Sequence, residues 1–293
     1  LSLLLTVLEI VAPVFILAAI GFGWVRLGYE YKMDFVTRLT MTLSVPCLIF
    51  MSLVGTELDP KAVSALSLAA VLSYGALTLV TAAVLFALRL SMRSYLAPLI
   101  FGNTGNLGLP VALFAFGETG LGYAVVVFAV MAVWSFTFGV WVVSGGGSIT
   151  RALKEPLLWG TVLGGIFLWQ GWQVPVFLGN TLSLLGQISI PVMLLTLGVA
   201  VARLTPSSIL KAMALSLLKL VLCVGTAWTA GRLFGLSDEA FAILVIQLAT
   251  PVAVTSFLLA EKYGADSDAV AGLVVVSTLV AVPALPIMLA VLL

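Results

Sequence analysis

"FGNTGNLGLP", residues 101–110, places three glycines, two asparagines and a proline inside a strongly apolar segment. These residue types unwind a helix. In hydrocarbon, unwound backbone N–H and C=O groups find no water, so irregular chain is tolerated at membrane depth only where protein or a water-filled cavity satisfies it. The stretch therefore predicts a cavity inside a membrane protein.

The composition names the solvent. Of 293 residues, 62% are hydrophobic and 9% are charged, against about 25% charged in a soluble domain. The chain reads as an all-α integral membrane protein whose first partner is the lipid bilayer. A net charge of +1 with no basic block argues against a nucleic-acid partner. The absence of histidine removes the commonest metal ligand and general base, so neither a metal nor a cofactor is expected. Cys47 and Cys223 lie in apolar segments without metal-type spacing and read as small buried hydrophobes. The first segment lacks a basic leader region and reads as a span rather than a signal peptide.

A spanning helix needs about 20 mostly apolar residues. Cutting the chain at its charges, glycines and prolines predicts ten: 3–24, 35–55, 62–88, 95–116, 120–144, 156–173, 178–201, 207–234, 240–261 and 269–292. The fourth and ninth are interrupted and the sixth is short. No series of ten-residue alternating segments suggests a β-barrel. With ten spans, Arg26, Lys32, Arg38, Arg89, Arg93, Arg151, Lys154, Arg203, Lys211 and Lys262 fall on one side, and only Lys61 and Arg232 on the other. Basic loops stay cytoplasmic. Both termini are thus expected outside a cell membrane, with the loop between spans 5 and 6 in the cytoplasm.

"LSVPCLIFMSLVG" (43–55) is echoed by "ISIPVMLLTLG" (188–198), and "PVALFAFGETG" from Pro110 by "PVAVTSFLLAEKYG" from Pro251. The second half restarts the first. Five spans in each half is an odd number, so the halves, 1–144 and 156–293, are inverted relative to each other and joined by a linker at 145–155. Two inverted repeats with interrupted helices in corresponding positions point to a secondary transporter with a midplane site.

The breaks predict the chemistry of that site. Pro suits the first position of a helix and Thr the cap before it, so Thr250–Pro251 reads as a helix start in mid-span. Gly108–Leu109–Pro110 reads as its weaker counterpart. Two such N-termini aimed at the bilayer centre favour an anion. Asn103, Thr104, Asn106 and Gly108 are the candidate substrate-binding residues on one side, and Gln247, Thr250, Thr255 and Ser256 on the other. Gly105, Pro110 and Pro251 punctuate the two breaks.

Other unusual residues divide between structure and function. Pro13 and Pro283 read as packing or kink prolines, while Pro46 and Pro191, paired by the repeat, read as kinks in two symmetric helices. Lys219 has two readings: substrate attraction at depth, or snorkelling to the inner surface. Glu9 reads as interfacial. No other Asp or Glu lies in mid-span, so no coupling acid stands out.

"GNTGNLGLPVALFAFG" and "QLATPVAVTSFLLAEKYG", with ten spans and outside termini, resemble the auxin efflux carrier family and its bacterial members with a short central loop. That resemblance implies a fold like that of sodium/proton antiporters, with crossed, broken helices 4 and 9. It also implies a scaffold of spans 1, 2, 6 and 7 and a mobile transport domain of spans 3–5 and 8–10. Homodimers through the scaffold are common in the family. By position, Pro110 and Pro251 become the crossover prolines, with Gly105 a third candidate crossover residue, and Asn103 and Asn106 lie beside a substrate carboxylate. Plant members carry an acidic residue in span 3 near their substrate vestibule, and this chain has none there.

The expected function is elevator-type carriage of a small organic carboxylate, auxin-like or malonate-like. The alternatives are a sodium- or proton-coupled symporter of the same fold and a channel. A membrane-embedded enzyme lacks the His, Cys pair or paired carboxylates its chemistry would need.

Overall fold

The structure is a computed structural model that describes residues 2–55, 59–146, 156–204 and 208–292. Most of the expected linker, with Arg151 and Lys154, lies outside the described residues, as does Pro206.

Apolar runs punctuated by caps produce the helices. α1 is Ser2–Arg26, α2 Met33–Gly55, α3 Pro60–Ala87 and α4 Met92–Ile100. α5 is the helical stretch Thr104–Ser144, α6 is Pro156–Gln170, and α7 is Val176–Arg203. α8 is Ile209–Leu233, α9 Asp238–Ala249, α10 Val254–Tyr263 and α11 Ser267–Leu292. Asp59 caps α3 by accepting from the Lys61 N–H, with Pro60 as first helical residue. Ser91 and Ser237 cap α4 and α9 in the same way.

Six stretches among the described residues are long and apolar enough to cross a membrane by length and composition: α2, α3, α5, α7, α8 and α11. Of the other expected spans, the first is α1, in which Ala12–Arg26 is a shorter apolar helix, and the rest fall short for local reasons. Expected spans 4 and 9 are each broken into shorter helices, and α6 has 15 residues. Expected spans 4 and 5 meet inside α5, which turns at Gly117, where φ 64° and ψ −155° suit only glycine.

α2 and α7 each carry an irregular turn next to the repeat-paired prolines. In α2 a π-turn, Thr40–Ser44, precedes Pro46, and in α7 the helix is interrupted at Ile188 before Pro191. A π-turn leaves the backbone locally loose and recurs at functional sites.

Packing follows small residues and sorts the helices. α1 lies along α7, where a Cβ on Gly21 or Gly198 would run into a backbone carbonyl of the facing helix, Leu195 and Ala18 respectively. Such close approach is how helices associate in lipid, where apolar side chains gain nothing by avoiding solvent. α2 packs on α6 and on the first part of α7. α8 packs on α3, α9 and α11, and α10 on α11. α5 bridges, touching α3 and α9 as well as α1 and α2. Tyr74, Leu77 and Leu244 are among the fully buried side chains at its centre.

Candidate functional site

The two helix breaks meet. α4 ends at Ile100, Phe101 is extended, and helix resumes at Thr104; α9 ends at Ala249 and helix resumes at Val254. Between them, Gly102 faces Val252 in an isolated antiparallel bridge. The Asn103 N–H donates to the Pro251 carbonyl at 2.6 Å, and the Ala253 N–H donates to the Phe101 carbonyl at 3.4 Å. The Val252 N–H donates to Ser277 Oγ at 2.9 Å. Each break thus supplies backbone partners for the other, which is how non-helical chain survives at this depth.

The side chains explain the glycines. A Cβ on Gly102 would collide with Thr250 Oγ1, and one on Gly108 with Gln247 Oε1. Gly102 and Gly108 let α4 and α5 pass α9 at this range. Gly105 lies on the first turn of α5 against Phe128 and takes no part in the crossing.

The prolines are placed differently from each other. Pro251 lies in the crossing and gives its carbonyl to it. Thr250 does not start a helix: it closes α9, its hydroxyl donating to the Gln247 carbonyl at 2.7 Å. A residue before proline is driven toward extended backbone, as Thr250 is with ψ 148°. α10 starts four residues after Thr250, at Val254. Pro110 lies away from the crossing, inside α5, whose helix begins six residues earlier with a π-turn, Thr104–Gly108. There the Leu107 and Gly108 N–H groups share the Asn103 carbonyl at 3.0 and 3.2 Å. Pro110 cannot donate, so a carbonyl of the preceding turn loses its helical partner next to Asn106. The repeat match of Pro110 with Pro251 is therefore not a structural equivalence.

The polar candidates fall into three groups. Asn106 and Thr255 line one small cavity, about 20 Å³, with Thr37 and Thr40 of α2 and Met193 and Thr196 of α7. That is room for a single water. Asn103 Nδ2, Thr104 Oγ1 and both amide atoms of Gln247 are buried without a hydrogen-bond partner among the described residues. Leaving such groups unpaired costs about 1–3 kcal/mol each, a cost usually retained where a ligand, water or second conformation uses them. Ser256 is buried on the first turn of α10, outside the cavity lining.

Lys219 stands apart. It is 3% exposed on α8, about 15 Å from the helix start at Ile209, and does not snorkel. It lines a separate cavity of about 10 Å³ with Ser216, Thr250, Pro251 and Ser277, on the α11 side of the crossing.

A larger cavity, about 500 Å³, adjoins the small one through the shared residues Met33 and Val254. It lies between the Tyr31–Phe35 segment, the end of α7 and Phe257 of α10. Arg203 donates to the Tyr31 carbonyl at 2.6 Å, and the Tyr31 hydroxyl bonds Thr196 Oγ1 at 2.6 Å. Burial pushes the Tyr31 phenol above its usual range, opposed by the Thr196 bond and the nearby Arg203 charge. Lys32 pairs with Glu30 at 3.6 Å on the exposed side. Sequence reasoning missed Tyr31, Arg203, Thr37, Thr40 and Thr196. For the three threonines the signal available was hydroxyls inside apolar runs near the repeat-paired prolines.

Two comparisons bear on this arrangement. A family model described as "Membrane transport protein" matches residues 140–289. An uncharacterised transporter of Methanocaldococcus jannaschii is 26% identical over 193 residues, and the match spans 61% of this chain and 61% of that protein.

Proposed function

Because the chain belongs to the membrane transport protein family, which includes the auxin efflux carriers, we propose that it is a secondary carrier of a small organic anion. The observation that carries the reading is the crossing of residues 101–103 with 251–253 beside a cavity lined by Asn106 and Thr255.

The first turns of α5 and α10 begin at this crossing, and the leading N–H groups of a helix have no intrahelical partners. Together with the Asn106 amide and the Thr255 hydroxyl they form a carboxylate-free inner end where the anionic group of an organic carboxylate can displace the single water that fits there, its body lying in the adjoining larger cavity. The 500 Å³ cavity has the size of a small-molecule site. It leads inward from the side on which the Lys and Arg residues gather, which the positive-inside bias makes cytoplasmic. Lys32 and Arg203 at its wall outnumber the single acid there, Asp34, and favour anions.

The packing suggests what moves. α1, α2, α6 and α7 form one set and α3, α4, α5 and α8–α11 the other, with the cavities between them. In this reading the second set slides against the first as an elevator, exposing one set of contacts to each face in turn. The two sets derive from inverted five-span halves, with both termini outside.

The test is exchange of labelled carboxylates, with malonate and indole-3-acetate first, in proteoliposomes of the purified protein. Saturable counterflow of a carboxylate is expected. Conduction without saturation or counterflow would instead mark a pore.

A further inference from the structure

Every charged side chain resolved as buried in the described part of the chain reduces to one: Lys219. Its Nζ donates to Cys223 Sγ at 3.5 Å, a weak acceptor, and the one ion pair among the described residues, Lys32–Glu30, lies elsewhere. Among the described residues, the elements around it offer no anion. Cys223 shares its helix, α3 brings Tyr74 against Cys223, and α9 and α11 contribute Thr250 and Ser277 to the cavity wall. α4 carries Tyr95, whose hydroxyl accepts from Lys211 instead. What partly offsets the ammonium is the C-terminal end of α9, since Ala249 and Thr250 line the same cavity and a helix C-terminus carries partial negative charge. An uncompensated ion in hydrocarbon is otherwise expensive and is usually retained for function.

Lys219 lies outside the Asn106–Thr255 cavity, so it need not touch a substrate. Among the described residues its helix packs chiefly on α3, α9 and α11, and less on α4, all within the set read above as mobile. We propose that Lys219 is the fixed counter-charge of the moving body, so that a bound monoanion makes the loaded carrier electrically neutral and the empty carrier crosses with one positive charge. This rests on the elevator reading. The consequence is a division of labour: loaded movement is insensitive to voltage, and return of the empty carrier is the electrogenic step. A dianion would leave the loaded carrier with one negative charge, so monocarboxylates are carried in preference.

The test has two readouts, on wild type, Lys219→Gln and Lys219→Arg. The first needs no substrate: voltage steps across planar membranes holding the protein should evoke a transient charge movement in wild type and Lys219→Arg, lost in Lys219→Gln. The second is indole-3-acetate exchange in proteoliposomes with imposed potassium diffusion potentials. Wild-type exchange should be flat with voltage, while Lys219→Gln becomes voltage-dependent, by up to about 50-fold per 100 mV for a charge crossing the full field. Malonate exchange should depend on voltage even in wild type. Charge movement absent from wild type, or unchanged in Lys219→Gln, overturns the inference. Charge movement that behaves as expected while neither carboxylate is exchanged leaves Lys219 in its role and overturns the substrate reading instead. If Lys219→Gln fails to fold, Lys219→Arg carries the test through its wild-type charge movement, and loss of that movement in a folded Lys219→Arg counts against the inference.

Discussion

The Asn103 N–H donates to the Pro251 carbonyl at 2.6 Å, joining two unwound segments that are about 150 residues apart in the chain. Each unwound segment is the other's hydrogen-bond partner, so neither is stable alone.

Gly102→Ala tests the crossing. The new methyl would meet Thr250 Oγ1 and come within 3.0 Å of the Thr250 carbonyl oxygen. Overpacking of this kind costs about 1–3 kcal/mol, read as a lower thermal midpoint in detergent. Adding Thr250→Ala removes the hydroxyl and should restore part of the loss, which a double-mutant cycle measures. Strict additivity of the two changes would disconnect them.

Asn106→Ala tests the site. A hydrogen bond to a charged group is worth about 1.5–3 kcal/mol, so carboxylate exchange should fall about tenfold or more with the thermal midpoint little changed. Wild-type flux in this variant would sink the assignment of Asn106.

Arg203→Gln tests the vestibule. It should raise the half-saturating carboxylate concentration several-fold and weaken its dependence on ionic strength, because a positive wall attracts anions through a field that salt screens. A maximal rate that falls at unchanged half-saturation would point to a structural role through the Tyr31 carbonyl instead.

Tyr31→Phe removes the hydroxyl that bonds Thr196. The expected loss is about 0.5–1.5 kcal/mol, measured by thermal unfolding, with exchange retained.

Gly198→Leu places a side chain where even a Cβ meets the Ala18 carbonyl. α1 and α7 cannot then approach, and folded yield after detergent extraction should drop sharply. Gly23→Ala, whose Cβ would meet nothing within 4 Å, is the control and should be silent.

Much of the site was legible because the residue types at issue have few uses in hydrocarbon. Gly, Asn and Pro within 101–110 signalled a broken helix, and the echo from Pro251 signalled a second one. The details failed where propensity met a tertiary demand. Thr250–Pro251 has the form of a helix start, yet Thr250 closes α9 because the Pro251 carbonyl is taken by Asn103. Pro110 matched Pro251 in sequence, but its helix had already begun at Thr104. Arg203 and Tyr31 gave no local signal, since an arginine in the last turn of a helix and a loop tyrosine are ordinary until α7 and the α1–α2 loop are brought together.

By itself the sequence determined the solvent, the all-helical class and the two places where helix gives way, because composition and residue type decide which backbone hydrocarbon will tolerate. Only the tertiary structure decided that the two breaks satisfy one another, that Asn106 and Thr255 share a cavity, and that Lys219 is buried on the far side of the crossing. Those relationships depend on which carbonyl each freed N–H finds, and pairing across about 150 residues is written in no local pattern.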